Sequence, residues 1–378
     1  PNNVWHHVAA TYDGNIARLY IDGILDNTST MIASTANSSQ FAIGALYVDS
    51  DNVSNHFKGD LDEIRIWDEA LSLDQLRYIM NQEIVRNGNQ VNGVIIPNTI
   101  TKNDIEAVNW SSLLAYYSMN SYIGTHLNDV SGNGNRGSLA DPDQFTLEFQ
   151  SSPLPYRSSA NGNWNDNATW ENGTEQYIPG STSIVNPNIT VDWNIVKTEA
   201  NITLENSNLP TTKNDNRTLL GLSVENATIT VDGNNDLDTG NGLTITHYLS
   251  IDGKLDLQGE SQLIQTLGSD FDPASSGTLE RDQQGTQDLF TYNYWSSPVS
   301  PQNSIANNTD YTVSNVLFDG TDVNNLLPIT FVGGYDGANT TPITLSSFWM
   351  YKYVNQPNNY INWTQVGASG NIKVGEGY

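Results

Sequence analysis

The segment from Trp5 to Trp67 constrains the fold of this chain more than any other stretch. Apolar and polar side chains alternate within it, most clearly from Ile16 to Ile21, and a period of two places successive side chains on opposite faces of a β-sheet. The dipeptides Asp13-Gly14 and Asp22-Gly23 supply the positive φ angles that tight hairpin turns need. The segment is therefore predicted to fold as an antiparallel sheet.

Five blocks of this segment occur in an order and spacing that closely resemble those of the laminin-G-like/pentraxin-like jelly-roll family. They are W-H-H-V-A-x-T-Y-D-G, L-Y-I-D-G, F-x-I-G, F-x-G-x-L-D-E-I-R-I-W and A-L-S. The resemblance implies a concanavalin A-like sandwich, of which only the C-terminal half is present, because no strands precede Trp5. Such sandwiches include lectins, adhesion modules and passive spacers, so the resemblance predicts the fold and leaves the function open.

Composition limits the classes of partner. The 42 acidic against 15 basic residues give a formal charge of −27, which repels nucleic acid and anionic membrane surfaces and attracts cations. The chain has no cysteine, so disulfides and thiolate metal sites are excluded. No apolar run approaches the roughly 18 residues that cross a bilayer, so we expect no membrane insertion. A surface rich in Asn, Thr, Ser, Asp and Gly is typical of an all-β, extracellular bacterial module.

Changes in residue composition and patterning along the chain predict four regions in a mostly β protein. We also expect the chain to be a piece of a longer protein. The four regions are half of a laminin-G-like sandwich with a helix (1–85), a connecting region (86–155), a β-solenoid-like region (156–285) and an aromatic-rich β module (286–378). The helix is predicted from Leu73 to Ile84, since Ser72 and Gln75 have the spacing of a capping box. In the connecting region, Asp129–Gly137 resembles a phrase that laminin-G-like domains carry near their first strands. It is either a partial second copy or a tail that completes the first sandwich.

Short strands recur at about twenty residues in the third region. Leu222 recurs as Leu243 and Val224 as Ile245, and polar turns of Gly, Asn and Asp separate the strands. A period of this length is what a β-solenoid needs, because each repeat buries its apolar residues only against the next. We predict a short right-handed parallel β-helix over Ser183–Leu267.

Aromatic residues are concentrated in the fourth region. We expect most of Trp295, Trp349 and Trp363 to lie in a core, with at most one on a sugar-stacking surface. From Tyr156 onward, motifs such as Y-N-Y-W-S-S-P-V and V-G-E-G-Y resemble repeats that precede the sorting signal in very large surface proteins of gliding marine Bacteroidota. That resemblance implies export by type IX secretion and a secreted or cell-surface location.

Calcium is the one cofactor that the sequence allows, and Asp62 is the first candidate ligand. In the strand that ends at Trp67 it is predicted to share a face with Ile64 and Ile66, which we place in the core. A buried carboxylate must be paired, so either backbone N–H groups or a bound calcium ion satisfies it. Glu63 and Arg65 are expected on the opposite, surface face, where an ion pair contributes little.

A second candidate calcium site is a loop rich in the oxygen ligands that this ion prefers, containing Asp49, Asp51, Asn52 and Asn55. The resemblance to pentraxins implies calcium ligands in this loop. Here, however, Leu46 and Tyr47 replace the acidic pair expected after the strand glycine. The alternative is a solvated hairpin tip.

The adjacent residues His6 and His7 point to opposite faces of a strand and cannot both bind one metal ion without distortion. We assign them structural roles. No G-x-S-x-G, H-E-x-x-H or phosphate-binding loop occurs in the sequence. Polysaccharide lyases with a β-helix need a base together with carboxylates, and no basic pair recurs at repeat spacing. We therefore expect no enzymatic activity.

These observations favour a non-catalytic fragment of a secreted cell-surface protein that binds glycan or extracellular matrix through its laminin-G-like sandwich. One alternative is a set of accessory modules of a polysaccharide-degrading enzyme, and another is a purely structural spacer. The expected partner is a glycan or another cell-surface polymer, with no nucleic acid.

Overall fold

The structure is a computed structural model of the 378-residue chain. It describes residues 4–32, 40–49, 52–96, 108–140, 147, 155–171, 178–205, 215–286, 291–301, 309–322, 325–354 and 362–378. The fold is nearly all β, with 40% strand and 8% helix, which confirms the predicted fold class.

The chain begins with an antiparallel three-stranded sheet, ordered β1 (Val8–Tyr12), β2 (Ile16–Ile21) and β3 (Ile24–Thr30). Asp22 and Gly23 join β2 to β3 with φ angles of 53° and 74°, as a tight hairpin requires. Exposed and half-buried side chains alternate along β1. The predicted antiparallel segment is therefore present, with one face turned toward the interior.

A hairpin, a single strand and a helix follow: β4 (Leu46–Asp49), β5 (Asn52–Ser54), β6 (Ile64–Trp67) and α1 (Leu73–Met80). The Ser72 hydroxyl accepts the Gln75 N–H at 3.2 Å, and the Gln75 side chain accepts the Ser72 N–H at 2.8 Å. These two bonds confirm the predicted capping box. The helix ends at Met80 rather than at Ile84, because the Asn81 amide donates to the Trp193 carbonyl at 3.1 Å and Ile84 starts the next strand.

Six short strands follow the helix: β7 (Ile84–Asn87), β8 (Gln90–Gly93), β9 (Leu113–Tyr117), β10 (Tyr122–Ile123), β11 (His126–Leu127) and β12 (Gly137–Ser138). β7 pairs with β8, and β10, β11 and β12 form a small antiparallel sheet. Single 3-10 turns occur at Trp110–Ser112, Asn167–Thr169, Asn235–Leu237 and Ser347–Trp349.

Strand β9 pairs antiparallel with β6, and thus joins the connecting region to the first unit across the predicted boundary at residue 85. The phrase that begins at Asp129 is held against β9. Its carboxylate accepts the Tyr116 N–H at 3.0 Å and the Asn135 N–H at 2.8 Å, and the Asn133 amide donates to the Leu113 carbonyl at 2.7 Å. The sequence left two alternatives for this phrase, and its contacts place it with the strand that extends the first unit.

The next part of the chain forms what we call the parallel stack (residues 156–281). Its strands are β13 (Tyr156–Ser158), β14 (Gly162–Asn163), β15 (Trp170–Glu171), β16 (Ile195–Thr198), β17 (Ile202–Leu204), β18 (Arg217–Val224), β19 (Thr228–Val231), β20 (Gly242–Ile251), β21 (Lys254–Leu257), β22 (Gln262–Gln265), β23 (Asp270–Phe271) and β24 (Thr278–Arg281).

The chain alternates between the two sheets of the stack. One is ordered β15-β13-β16-β18-β20-β22, with β23 also on β20, and the other is ordered β14-β17-β19-β21-β24. All pairs are parallel except β13 with β15. The inward side chains form one core with almost no exposed surface, which includes Leu222, Leu249, Ile229 and Leu255. That this stack is a right-handed β-helix stays a prediction.

The predicted twenty-residue register is wrong. Leu222 pairs with Leu249 and Val224 pairs with Ile251, rather than with Leu243 and Ile245. Strand β20 is ten residues long and buries apolar side chains near both of its ends, so two registers satisfy the same inward pattern. The extra length is taken up by an irregularity in the pairing of β18 with β20.

The first unit packs onto the parallel stack around Trp193, which is 2% exposed. The Arg77 guanidinium lies 3.9 Å from the centroid of this indole ring. Ile24 and Met80 from the first unit share a small core with Trp193, and Ile195 and Leu220 of the stack share a second, larger core with helix α1, whose members include Leu76 and Ile79. We call the contact around Trp193 the junction.

The C-terminal module (residues 291–378) contains α2 (Val313–Val316) and the strands β25 (Phe318–Asp319), β26 (Leu327–Pro328), β27 (Thr330–Val332), β28 (Thr344–Ser346), β29 (Tyr351–Tyr353) and β30 (Trp363–Gln365). These strands pair two by two. Its core is centred on the buried residues Tyr311, Val313 and Ile372. The final residue is tied back by two backbone hydrogen bonds between Trp295 and Tyr378, at 2.8 and 2.9 Å.

Two of the three tryptophans predicted for this core are exposed. Trp349 is 47% and Trp363 is 37% exposed, so the prediction that most of them are core residues is wrong. The physical reason is size: two-stranded pairs around so small a buried core offer too little interior volume for three indole rings.

Candidate functional site

The predicted calcium loop forms the hairpin β4–β5. Both carboxylate oxygens of Asp49 accept from the Asn52 amide, at 2.9 and 3.1 Å, so this amide offers its nitrogen rather than its oxygen. Asn55 has a φ of 49° at the end of the hairpin, and Asp51 lies outside the described residues. Within the described ranges, no three His, Asp or Glu side chains are grouped to hold a metal ion. That this loop binds calcium stays a prediction.

Asp62 is half-buried, and its carboxylate accepts the Glu63 N–H at 2.9 Å. Glu63 has a φ of 50°, which interrupts the alternation of the strand, and β6 begins only at Ile64. The β6 side chains that reach the helix and the core are Arg65 and Trp67. The predicted assignment of faces is thus wrong, and Asp62 has a backbone partner.

Glu63, Arg65 and Tyr116 form a buried group where the sequence predicted a surface ion pair. The Arg65 and Glu63 side chains are only 8% and 10% exposed and are in direct contact. Arg65 donates to the Ile79 carbonyl at 2.8 Å and also to the Gln82 carbonyl. The Tyr116 hydroxyl donates to both Glu63 oxygens, at 2.9 and 2.8 Å. Burial raises the pKa of Glu63, and the Arg65 charge opposes that rise. This group ties β6, β9 and the end of α1 together.

His6 and His7 have structural contacts. His6 Nδ1 lies 2.8 Å from the Asp22 carboxylate, and the His7 N–H donates to the same carboxylate at 2.9 Å. Burial, followed by the charge of Arg65, lowers the pKa of His7 from 6.5 to about 4. Burial also raises the pKa of Asp22. These contacts fix the residues just before β1 to the β2–β3 turn.

We expect the protein to lose stability as the pH falls from 6.5 toward 4. In that window the unfolded state protonates His7 while the folded state does not, so the unfolded state binds more protons and the free energy of unfolding decreases, by up to about 3 kcal/mol. The raised pKa of Asp22 acts in the opposite direction nearer pH 4. Urea unfolding between pH 7 and pH 5 measures the effect.

The matched pair of variants for this test is His7→Gln and His126→Gln, the latter at an exposed histidine. Stability of the His7 variant should depend less on pH across the window, whereas the His126 variant should follow the wild type. Parallel curves for all three proteins would contradict the assignment.

A cleft of about 280 Å³ lies on the outer face of the stack sheet that contains β16, β18 and β20. Of its apolar lining residues, Ile95 and Ile195 belong to the core shared with α1, whereas Val196 and Leu222 are part of the inward core of the stack. Its polar lining consists of Lys197, Ser223, Glu225, Tyr248, Ser250, Asp252 and Asp272. Ile95 follows β8, so the connecting region bounds the cleft on one side and the stack bounds it on the other.

The parallel pairing of the strands sets the positions of the polar side chains that line the cleft. Lys197, Ser223 and Ser250 occupy matching positions on three adjacent strands, so their side chains form one row across the sheet. Lys197 Nζ lies 3.8 Å from the Glu225 carboxylate, to which the Ser223 hydroxyl donates at 3.3 Å. Neighbouring side chains thus hold donors and acceptors at fixed spacing along this row.

The other end of the cleft is acidic. The Tyr248 hydroxyl donates to the Asp272 carboxylate at 2.8 Å, and Asp252 accepts the Ser276 N–H at 2.9 Å. Burial and then the bond to Asp272 raise the pKa of Tyr248 well above its ordinary value, so this phenol stays protonated and donates. The cleft can therefore bind a ligand that presents several hydroxyl groups.

The sequence patterns described above do not predict this site. Its polar residues come from positions scattered between Lys197 and Asp272, and only the correct register aligns them. The predicted register would have placed Thr244 beside Ser223, instead of Ser250. One sequence pattern could have indicated the site. Its strands carry a polar residue between two buried apolar residues, as Ser223 lies between Leu222 and Val224.

Comparison with known proteins finds a family match for the first part of the chain. Residues 1–77 match the laminin G-type family described as the concanavalin A-like lectin/glucanases superfamily. The predicted jelly-roll resemblance is thus supported over these residues. No curated protein and no solved structure matches the chain. In the described part of the chain, no helix has the length and apolar character needed to cross a membrane.

Proposed function

We propose that this chain is a non-catalytic, carbohydrate-binding fragment of a secreted bacterial cell-surface protein that acts in adhesion or matrix binding. The family match over residues 1–77 is consistent with carbohydrate binding in general. The observation that carries the proposal is the cleft between Ile95 and the outer face of the parallel stack. Its row of hydroxyl, ammonium and carboxylate groups beside the half-buried Ile95 matches the mixed polar and apolar character of a sugar.

The ligand class follows from charge. Three carboxylates face one ammonium group in the cleft, and the whole chain carries a formal charge of −27. Uronic acid and sulfated polymers are repelled by such a surface. A neutral glycan is therefore the expected ligand, with the carboxylates of Glu225 and Asp252 accepting from its hydroxyl groups.

Two alternatives each have a supporting observation. The matched superfamily includes glucanases by name, which supports accessory modules of a polysaccharide-degrading enzyme. The parallel stack adds one strand beside the next in each of its two sheets, which supports a spacer. Secretion by the type IX route belongs to the same proposal and rests on the sequence resemblance. A spacer predicts no glycan binding at all, whereas an accessory module predicts binding to the polymer that its enzyme degrades.

A glycan array, run with EGTA and with millimolar calcium, tests the proposal. We expect binding to neutral glycans in both conditions. Glu225→Gln and Asp252→Asn should each weaken binding of an array hit about ten- to hundredfold by titration calorimetry, since each removes a charge-assisted hydrogen bond. Glu260→Gln, an exposed change elsewhere on the stack, is the control and should bind as the wild type does.

Three outcomes would redirect the proposal. Binding that appears only with calcium would support the proposed calcium site around Asp49, Asp51, Asn52, Asn55 and Asp62. Unchanged affinity in both cleft variants would assign the binding to another surface of the protein. Absence of binding to every glycan would favour the spacer.

A further inference from the structure

A group of exposed aromatic rings lies on the C-terminal module, far along the chain from the cleft. We call Tyr335, Phe348 and Trp349 the aromatic patch. The Phe348 ring centroid lies 4.7 Å from that of Tyr335 and 4.8 Å from that of Trp349, both in edge-to-face contact. Tyr335 is 66% exposed and Trp349 is 47% exposed. A half-buried ring thus supports two exposed ones.

Hydrogen bonds hold the patch in place. The Trp349 indole N–H donates to the Tyr335 carbonyl at 2.9 Å, and the Ser347 hydroxyl donates to the Val332 carbonyl at 2.9 Å. The Gln365 amide donates to the Phe348 carbonyl at 2.8 Å. Strands β27 and β28 pair directly behind this segment. Because the rings are already ordered, a ligand that binds them loses little conformational entropy of the protein.

A second exposed aromatic pair belongs to the same module. Tyr353 and Trp363 are opposite each other on β29 and β30, with ring centroids 5.4 Å apart. Exposed aromatic groups of this kind are uncommon on a surface without a partner. The module therefore presents apolar ring faces on a chain whose surface is otherwise strongly acidic.

The size of the patch decides between classes of partner. Three aromatic side chains of about 150–250 Å² each, all partly covered, expose well under the roughly 800 Å² per partner that a stable protein interface buries. The area is instead suited to one or two sugar rings. The formal charge of −27 again disfavours anionic polymers.

We propose that the aromatic patch is a second binding surface, at which Trp349 and Tyr335 stack against the apolar ring faces of a neutral polysaccharide. It is built from residues separate from the cleft and does not depend on it. A chain that binds one polymer at both places gains avidity, because the second contact is intramolecular.

Native gel electrophoresis of the full chain, in gels that contain hydroxyethylcellulose, laminarin or λ-carrageenan, tests this proposal. We expect retardation by at least one of the two neutral polymers and none by the sulfated one. Trp349→Ala should weaken the retardation constant about tenfold. Trp349→Phe should keep most of the retardation, because it retains a flat ring, and Trp349→Leu should lose it although it stays apolar.

Tyr294→Ala removes an exposed aromatic side chain outside the patch and is the control, expected to run as the wild type does. Circular dichroism of each variant confirms that it is folded, and Tyr335→Ala is a second patch variant should Trp349→Ala unfold the module. Retardation of wild type by neither neutral polymer would overturn the proposal. So would equal retardation of the wild type and the Ala variants, or full retardation of Trp349→Leu. The Asp252→Asn cleft variant should still be retarded, which separates this proposal from failure of the cleft.

Discussion

Replacement of Arg65 with methionine is expected to destabilise the protein by about 3–5 kcal/mol. The variant leaves the buried Glu63 carboxylate without its cation and removes the donors to the Ile79 and Gln82 carbonyls at the end of α1. A methionine fills much of the same volume but satisfies none of these groups. Urea unfolding at pH 7 measures the loss.

Two further variants test whether the loss of stability comes from the uncompensated charge of Glu63. Adding Glu63→Gln to Arg65→Met should recover part of the lost stability, because the uncompensated carboxylate is then gone. Arg18→Met, which breaks the exposed pair with Asp13 at 2.7 Å, should leave the unfolding midpoint nearly unchanged. If Arg65→Met and Arg18→Met lowered the free energy of unfolding equally, the buried group would contribute no more to stability than the exposed ion pair.

Replacement of Trp193 with alanine is the second large effect that we expect, also about 3–5 kcal/mol. Trp193 is buried at the junction, between the Arg77 guanidinium and the backbone at Gly23. Its removal leaves a cavity where the first unit meets the parallel stack. We therefore expect the wild type to unfold in one calorimetric transition and the variant in two, one for the first unit and one for the parallel stack.

Trp164→Ala is the matched control for this prediction. Trp164 is fully buried inside the stack, in edge-to-face contact with Trp170 at 4.9 Å, so its loss should also lower stability by a similar amount. It lies away from the junction and should not split the transition. A single, merely shifted transition for Trp193→Ala would show that the other junction contacts couple the two units on their own.

Several features of this protein were predictable because short-range chemistry sets them. The hairpins of β1 to β3 follow from alternation and from Asp22-Gly23, and the start of α1 follows from a reciprocal hydrogen bond between Ser72 and Gln75. In each case the partners lie within one turn or one strand of each other. The family match over residues 1–77 covers the same part of the chain that the sequence blocks indicated.

Only the tertiary structure decided the features that depend on distant partners. The apolar pattern of β20 fits two registers, and packing selects the one that pairs Leu222 with Leu249; the row of polar side chains in the cleft exists only in that register. Arg65 is buried because a positive φ at Glu63 turns the strand and because carbonyls of α1 accept its donors. Trp349 is exposed because the core of its module is small. Local alternation determines which residues form strands, but the face that each strand buries depends on the free energy of packing against segments far away in the sequence.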